Sequence, residues 1–234
     1  MLNSVRQSHA ASTFALLDNP AICHPSGILF LPELSLLVVS DLHLEKGSSY
    51  ARRGALLPPY DTAATLERLH TVIAHYAPQT VISLGDSFHD GGGAARLPLP
   101  FRVRLEAMMA GRQWFWVAGN HDPDVPADLP GDCVDEIAIS GLVFRHEPSR
   151  KSGPGEVAGH LHPAARIVQR GRSIRRRCFA TDGEKLIMPA FGAFTGALNI
   201  LDRAYTGLFK PERLTAYLLG DDRIYPIGRA QLRP

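Results

Sequence analysis

Cysteine is nearly missing from this chain: Cys23, Cys133 and Cys178 are the only three in 234 residues. They lie far apart and none belongs to a CxxC pair, which argues against a disulfide framework and against a thiolate zinc knuckle. They read as small core residues of a reducing compartment. Long apolar runs are missing too. The longest, ILFLPELSLLVVS, is broken by Pro32 and Glu33 and is too short to span a bilayer. The opening MLNSVRQSHAASTFALLDNP has no continuous apolar segment of the kind a signal peptide needs. A cytoplasmic location and no membrane partner are therefore expected. The net charge is only +2, so the global field points to no partner. Repeats and low-complexity segments are also missing. What remains, 45% hydrophobic and 21% charged, is an ordinary globular composition, long enough to bury a core and short enough for a single domain spanning 1–234.

One local absence is informative. From Val157 to Thr181 there is no Asp or Glu, yet Arg166, Arg170, Arg172, Arg175, Arg176 and Arg177 all fall there. Two readings stand: a solvated basic face, or a surface that binds phosphates.

The middle of the chain reads as β-α-β-α-β. LLVVSD (36–41), TVISLGD (80–86) and WFWVAGN (114–120) are apolar strand segments, each ending in a polar residue. Near-continuous apolar strands belong to a sheet covered on both faces. Leu66, Leu69, Ile73 and Tyr76 recur at helical spacing over 61–76, with Asp61 placed to cap that helix. Phe101, Leu105 and Met108 mark a second helix, stopped near Gly111. The residues before 35 suggest a strand or hairpin leading in. The second half (IAISGLVFRHE, EVAGH, ARIVQ, RCFATDGEKLIMP, LTAYLLGDDRIYPI) reads as short strands and hairpins, with Asp182-Gly183 a good turn. The expected fold is α/β: two packed mixed β-sheets flanked by helices, a four-layer sandwich.

Histidine is scarce, 10 residues, yet five sit in short polar stretches flanked by glycine. In chain order the strand ends give Asp41-Leu42-His43, then Gly85-Asp86, then Gly119-Asn120-His121-Asp122. His146 follows LVFR, and His160 and His162 share GHLH. Ligand sites of open α/β sheets lie at such carboxyl ends. In an extended segment residues two apart point the same way, so Asp41 and His43 can reach one cation. Any one of these motifs is ordinary; all five in this order are not. Carboxylate, imidazole and amide oxygen without thiolate suit Mn, Fe or Zn. Seven ligands exceed one ion's need, and two ions sharing a carboxylate would use them all. His121 neighbours a ligand, but the alternation of side chains turns it towards substrate.

This order, D-x-H, GD, GNHD, H, GHxH, resembles the calcineurin-like metallophosphoesterases from Asp41 to His162. The resemblance implies Asp41, His43, Asp86 and His162 on one metal, and Asp86, Asn120, His146 and His160 on the other, with Asp86 bridging. It implies hydrolysis by a bridging hydroxide, His121 near the leaving group, and Asp122 orienting His121. One departure is GDSFHD, where the family usually has GDxxD: His89 takes the second aspartate's place and Asp90 follows. DLHLEKGSSYARRG, LPPYDT, GDSFHD and LIMPAFGAFTGALNI together resemble the bacterial ligase-associated DNA-damage-response phosphodiesterases. That narrower resemblance covers most of the chain. It implies a DNA endonuclease of repair, linked to a DNA ligase, an exonuclease and a helicase.

Two divalent cations, two carboxylates and a hydroxide leave a small positive charge, which suits a phosphodiester monoanion. Manganese is the first choice of metal. Flanking phosphates would need further cations. Lys46, Arg52 and Arg53 follow the first metal loop, and Arg175 and Arg177 alternate on a strand after the last one, a guanidinium pair facing outward. His89 joins them as a candidate substrate contact. Of the aromatics, Tyr50 and Phe88 fall near the mouth, Phe88 as packing. The leading expectation is single-stranded or damaged DNA as substrate. The rivals are a small-molecule phosphoesterase or pyrophosphatase, and a non-catalytic scaffold.

Overall fold

The computed structural model describes residues 11–55, 60–123 and 129–234. The first ten residues of the opening segment, and Leu57, Pro58 and Pro59 of LPPYDT, lie outside the described residues.

One sheet holds seven strands in chain order. They are β1 (Ser12–Leu16), β2 (Asn19–Cys23), β3 (Leu29–Leu31), β4 (Leu36–Val39), β5 (Thr80–Leu84), β6 (Gln113–Val117) and β7 (Asp132–Val134). β1 to β4 pair antiparallel as hairpins, and β4, β5, β6 and β7 pair parallel. The parallel half needs crossovers. These carry α1 (Lys46–Arg52), α2 (Asp61–Tyr76), α3 (Gly93–Arg96) and α4 (Leu99–Met109). The second sheet takes β8 (Glu136–Ile139), β9 (Leu142–Arg145), β10 (Glu156–Ala158), β11 (Pro163–Gln169), β12 (Arg172–Thr181), β13 (Leu186–Ile187) and β14 (Leu198–Asn199). β15 (Thr215–Leu219), β16 (Ile224–Gly228) and β17 (Leu232–Arg233) complete it.

The period of two sorts the apolar residues. Leu37, Val39, Val81, Trp114 and Trp116 face α2 and α4, joining Leu66, Leu69, Ile73 and Leu105. Leu36, Val38, Ile82, Leu84, Phe115 and Val117 face the second sheet, joining Phe144, Val157, Phe179 and Met188. Both sheets thus share one core. The outer side of the second sheet is covered by Ile200, Tyr205, Leu208 and Leu214. Those residues sit in 3-10 turns and loops, so the fourth layer among the described residues is not α-helical. No helix among them is long and apolar enough to cross a membrane.

The helix expected over 61–76 spans those residues. Its capping differs: Tyr60 holds the cap position without a side-chain bond, and Asp61 is already helical. The buried Asp61 carboxylate instead accepts from the Gly47 N–H at 3.0 Å, tying α2 to the start of α1.

Candidate metal centre

The parallel pairing of β4 with β5 runs on past the strand ends. His43 N–H donates to the Asp86 carbonyl, Leu44 N–H to Ser87, and His89 N–H to Leu44. This zipper sets Asp41 and His43 beside Asp86. The segment is not extended, however. Asp41, His43 and Asp86 have φ of 53°, 44° and 48°, and His160 and His162 have 65° and 46°. Non-glycine residues seldom adopt left-handed backbone, and clusters of them mark functional sites. Asp41 and His43 meet one point because the chain curls, not because side chains alternate.

Glycines let the segments close. A Cβ on Gly85 would lie 2.2 Å from His146 Nδ1, and one on Gly159 would lie 2.0 Å from Ser40 Oγ. The glycines of the GD and GHLH motifs are therefore contact surfaces for ligands brought from elsewhere.

Among the described residues three ligand-type groups result: Asp41, His43 and His162; Asp86, His146 and His160; and, sharing His43 with the first, His43, His89 and His121. In the first, Asp41 Oδ2 accepts from Ser40 Oγ at 2.5 Å and from His160 N–H at 3.2 Å. Asp41 Oδ1 and His162 Nε2 lie 3.1 Å apart. Both are buried and, among the described residues, have no hydrogen-bond partner, as is the case for His43 Nδ1. In the second group, His146 Nδ1 lies 3.1 Å from the Leu84 carbonyl, which can only accept, so that nitrogen carries the hydrogen. His146 Nε2 then meets Asn120 Oδ1 at 2.9 Å, His160 Nδ1 at 3.2 Å and Asp86 Oδ1 at 3.4 Å. Lone pairs converge on one point in each of these two groups, and a divalent cation is what such a donor set fits. Fixing one imidazole nitrogen on a carbonyl to free the other is the usual outer-sphere support of a ligand.

Asp86 joins the groups. Its Oδ1 turns to His146, while its Oδ2 lies 3.8 Å from His43 Nε2. Burial alone would raise its pKa, but His146, the His121 N–H and His43 bring it to about 2. Burial holds His43 down to about 3 and lowers His160, keeping both neutral, the form that ligates. His146 differs: against burial, Asp86 and Asp41 raise its pKa to about 9, so a cation would take the place of a proton on Nε2.

His121 lies at the open side, its side chain 42% exposed, with Nε2 4.0 Å from Asp86 Oδ2. Its Nδ1 sits 3.0 Å from the His89 carbonyl, and its ring stacks on that of His89. The orienting contact is thus with His89. The Asp122 carboxylate accepts instead from the Phe88 N–H at 2.9 Å, bracing the loop behind Asp86, and its burial followed by the charge of Asp86 raises it to about 7.

The altered GDSFHD motif divides its work. Asp90 pairs with Arg96 at 2.8 Å and accepts from the Gly92 N–H, so it is a turn residue. The His89 ring enters the centre beside His43 and His121. Burial, then the charges of Lys46 and His121, lowers His89 to about 4, leaving it neutral.

Among the more distant cations, Arg177 departs from the sequence reading. Lys46 Nζ donates to the Phe194 carbonyl at 2.8 Å and lies over the Tyr50 ring. Arg52 and Arg53 are exposed. Arg177 does not face outward: it is partly buried and donates to the carbonyls of Ala190, Gly192 and Thr195. Arg175 donates to the Ala197 carbonyl. Phe88 is buried against Trp116. Two supports escaped the sequence reading. Ser40 holds Asp41, and the buried Tyr205 donates its hydroxyl to the Leu161 carbonyl at 3.0 Å, fixing the GHLH loop from behind. The serine could have been suspected from its place beside Asp41; the tyrosine, 44 residues from its acceptor, left no local signal.

Carboxylates, imidazoles and an amide oxygen at the carboxyl ends of parallel strands make a centre suited to divalent cations. The sequence model of the calcineurin-like phosphoesterases matches residues 34–185, more than half of the chain, and the chain belongs to that family, which uses divalent metals. Among solved structures, the nuclease MPE of Pseudomonas putida is 28% identical, covering 93% of this chain and 100% of its own, with a TM-score of 0.71. The phosphoesterase Yfce of E. coli is 17% identical over 82% of this chain and 98% of its own, with a TM-score of 0.39, too distant to argue from. No curated protein matches the chain.

Proposed function

We propose that this chain is a divalent-metal-dependent phosphodiesterase that cuts DNA, single-stranded or damaged, as an endonuclease of repair. The observation that carries the reading is Asp86, whose two carboxylate oxygens face two separate ligand groups. Asp41, His43, Asp86 and His162 would hold one ion, and Asp86, Asn120, His146 and His160 the other. Bound ions would supply positive charge to the phosphoryl oxygens and an activated water. The remaining steps fall to the chain. Hydrolysis leaves one ester oxygen needing a proton. His121 would supply it from Nε2 while its Nδ1 stays against the His89 carbonyl. The neutral His89, stacked on it, would hydrogen-bond a phosphoryl oxygen.

Nucleic acid as substrate is supported by the likeness to a nuclease along nearly the whole chain and by the exposure of His121, which leaves the centre open to a polymer. The four motifs shared with the ligase-associated phosphodiesterases support a setting in the DNA damage response, in the cytoplasm, alongside a DNA ligase, an exonuclease and a helicase. Manganese suits the mixed N/O ligands without a soft donor. Chelator-stripped protein should be inert on circular single-stranded DNA and on bis-p-nitrophenyl phosphate, and should recover both activities with Mn²⁺. Full activity after verified stripping would sink the metal reading. Diester turnover without any DNA cleavage would return the small-molecule phosphoesterase.

A further inference from the structure

The segment 190–197, between β13 and β14, has no regular structure, yet it is held more tightly than a surface loop usually is. The Phe191 N–H donates to the Ser40 carbonyl at 2.8 Å and the Gly192 N–H to the Asp41 carbonyl at 3.0 Å, so the segment is bonded to the backbone of a candidate ligand. Arg177 takes the carbonyls of Ala190, Gly192 and Thr195. Arg68 takes that of Phe191, Lys46 that of Phe194, and Arg175 that of Ala197. The Ala193 N–H donates to Thr65 Oγ1 at 3.2 Å. Phe191 is buried beneath it, but Phe194 stands 46% exposed.

A single exposed aromatic is ordinary on a protein surface. This one is distinguished by its support and its neighbours. Lys46, which fixes the Phe194 carbonyl, also lies 5.9 Å above the Tyr50 ring. Tyr50 lies 5.6 Å from the His89 ring, and His89 stacks on His121 at 5.3 Å. The rings of His121, His89 and Tyr50 thus form a row leading out of the reaction centre, and Lys46, over the last of them, links that row to Phe194 through its carbonyl. Rings beside a cationic track are how single strands are gripped, because every base offers a face.

We propose that Phe194 is a base-stacking residue, which holds a nucleobase of a single strand next to the phosphate being cut while Lys46 faces the adjoining backbone. The proposal rests on the nucleic-acid reading above and sharpens it: the preferred substrate is an unpaired segment, since a paired base has no free face for the ring.

The test uses the Mn²⁺-loaded protein and single-stranded oligodeoxynucleotides, intact or with abasic positions flanking the cut. Phe194→Ala should raise KM on the intact strand roughly tenfold. Abasic substitution should raise KM for the wild type by a similar factor and for Phe194→Ala hardly at all. Phe194→Trp should keep the wild-type KM, and its fluorescence should be quenched by an intact phosphorothioate strand and not by an abasic one. If the wild type cuts the strand but the abasic penalty is the same in Phe194→Ala, base stacking is refuted and the nuclease reading stands. If the wild type neither binds nor cuts any strand, both fall together.

Discussion

Gly159→Ala removes no ligand, yet it should disable the centre. Gly159 is outside the left-handed region, so alanine costs nothing in backbone strain there. The cost is steric. The new Cβ would lie 2.0 Å from Ser40 Oγ and 2.8 Å from Asp41 Oδ2. Reaching even 3.0 Å from Ser40 means opening the gap by about 1 Å, in a packed interior that resists such shifts. Moving the GHLH loop that far breaks the His160 N–H bond to Asp41 and parts His162 from Asp41. Misplacing a reacting group by about 1 Å can cost on the order of 10²-fold in rate, and losing outer support of a metal ligand costs about 10–100-fold in affinity. Overpacking should also cost about 1–3 kcal/mol, or several degrees of Tm for a chain of this size. Calorimetric Mn²⁺ titration well below Tm, with hydrolysis of bis-p-nitrophenyl phosphate, should therefore show weakened metal binding and a loss of about two orders of magnitude in rate. Adding Ser40→Ala removes the worse contact and should restore part of both. Wild-type affinity for two equivalents and a rate within about threefold in Gly159→Ala would refute the close-approach argument.

Asp86→Asn should strip both ions, while His162→Ala should weaken mainly one; elemental analysis showing equal metal in wild type and Asp86→Asn would remove Asp86 from its shared position. His121→Ala should keep its metal and lose roughly 10²–10⁴-fold in turnover on DNA, with a smaller loss where the leaving group is p-nitrophenolate. An equal loss on both substrates would replace proton donation by electrostatic positioning. Arg177→Ala should act on stability, by about 2–3 kcal/mol from carbonyls left without a charged donor, and should leave the salt slope of DNA binding as it was. The exposed Arg53→Ala should do the reverse, flattening that slope by about 0.7 on a single strand; a flattened slope for Arg177→Ala with an unchanged Tm would overturn the assignment of that arginine to the loop.

What the sequence disclosed and what it hid differ by the range of the interactions involved. α2 was legible to the residue because Leu66, Leu69 and Ile73 answer to a period that a single helix sets by itself. The candidate ligands were legible because each polar group interrupts an apolar strand at its end, and chain order alone carries them to one side of the sheet. Their posture was not. Asp41 and His43 were expected to agree through extended alternation; they agree because two parallel strands go on pairing beyond their ends and force both into left-handed backbone. No residue in D-L-H announces that, since the force comes from the carbonyls of Gly85 and Asp86 about 45 positions away. The arginine run misled for the same reason. An arginine on a strand reads as exposed when its acceptors are invisible, and the acceptors of Arg177 are main-chain carbonyls of an irregular segment that no periodicity marks. Irregular segments must place their carbonyls somewhere, either in water or on a donor. Where such a segment lies against a centre rich in carboxylates and imidazoles, guanidinium is the donor that meets several carbonyls at once and stays charged under partial burial. An acid-free, arginine-rich strand beside a loop of small residues is therefore as consistent with loop anchoring as with nucleic acid, and only the acceptors decide which.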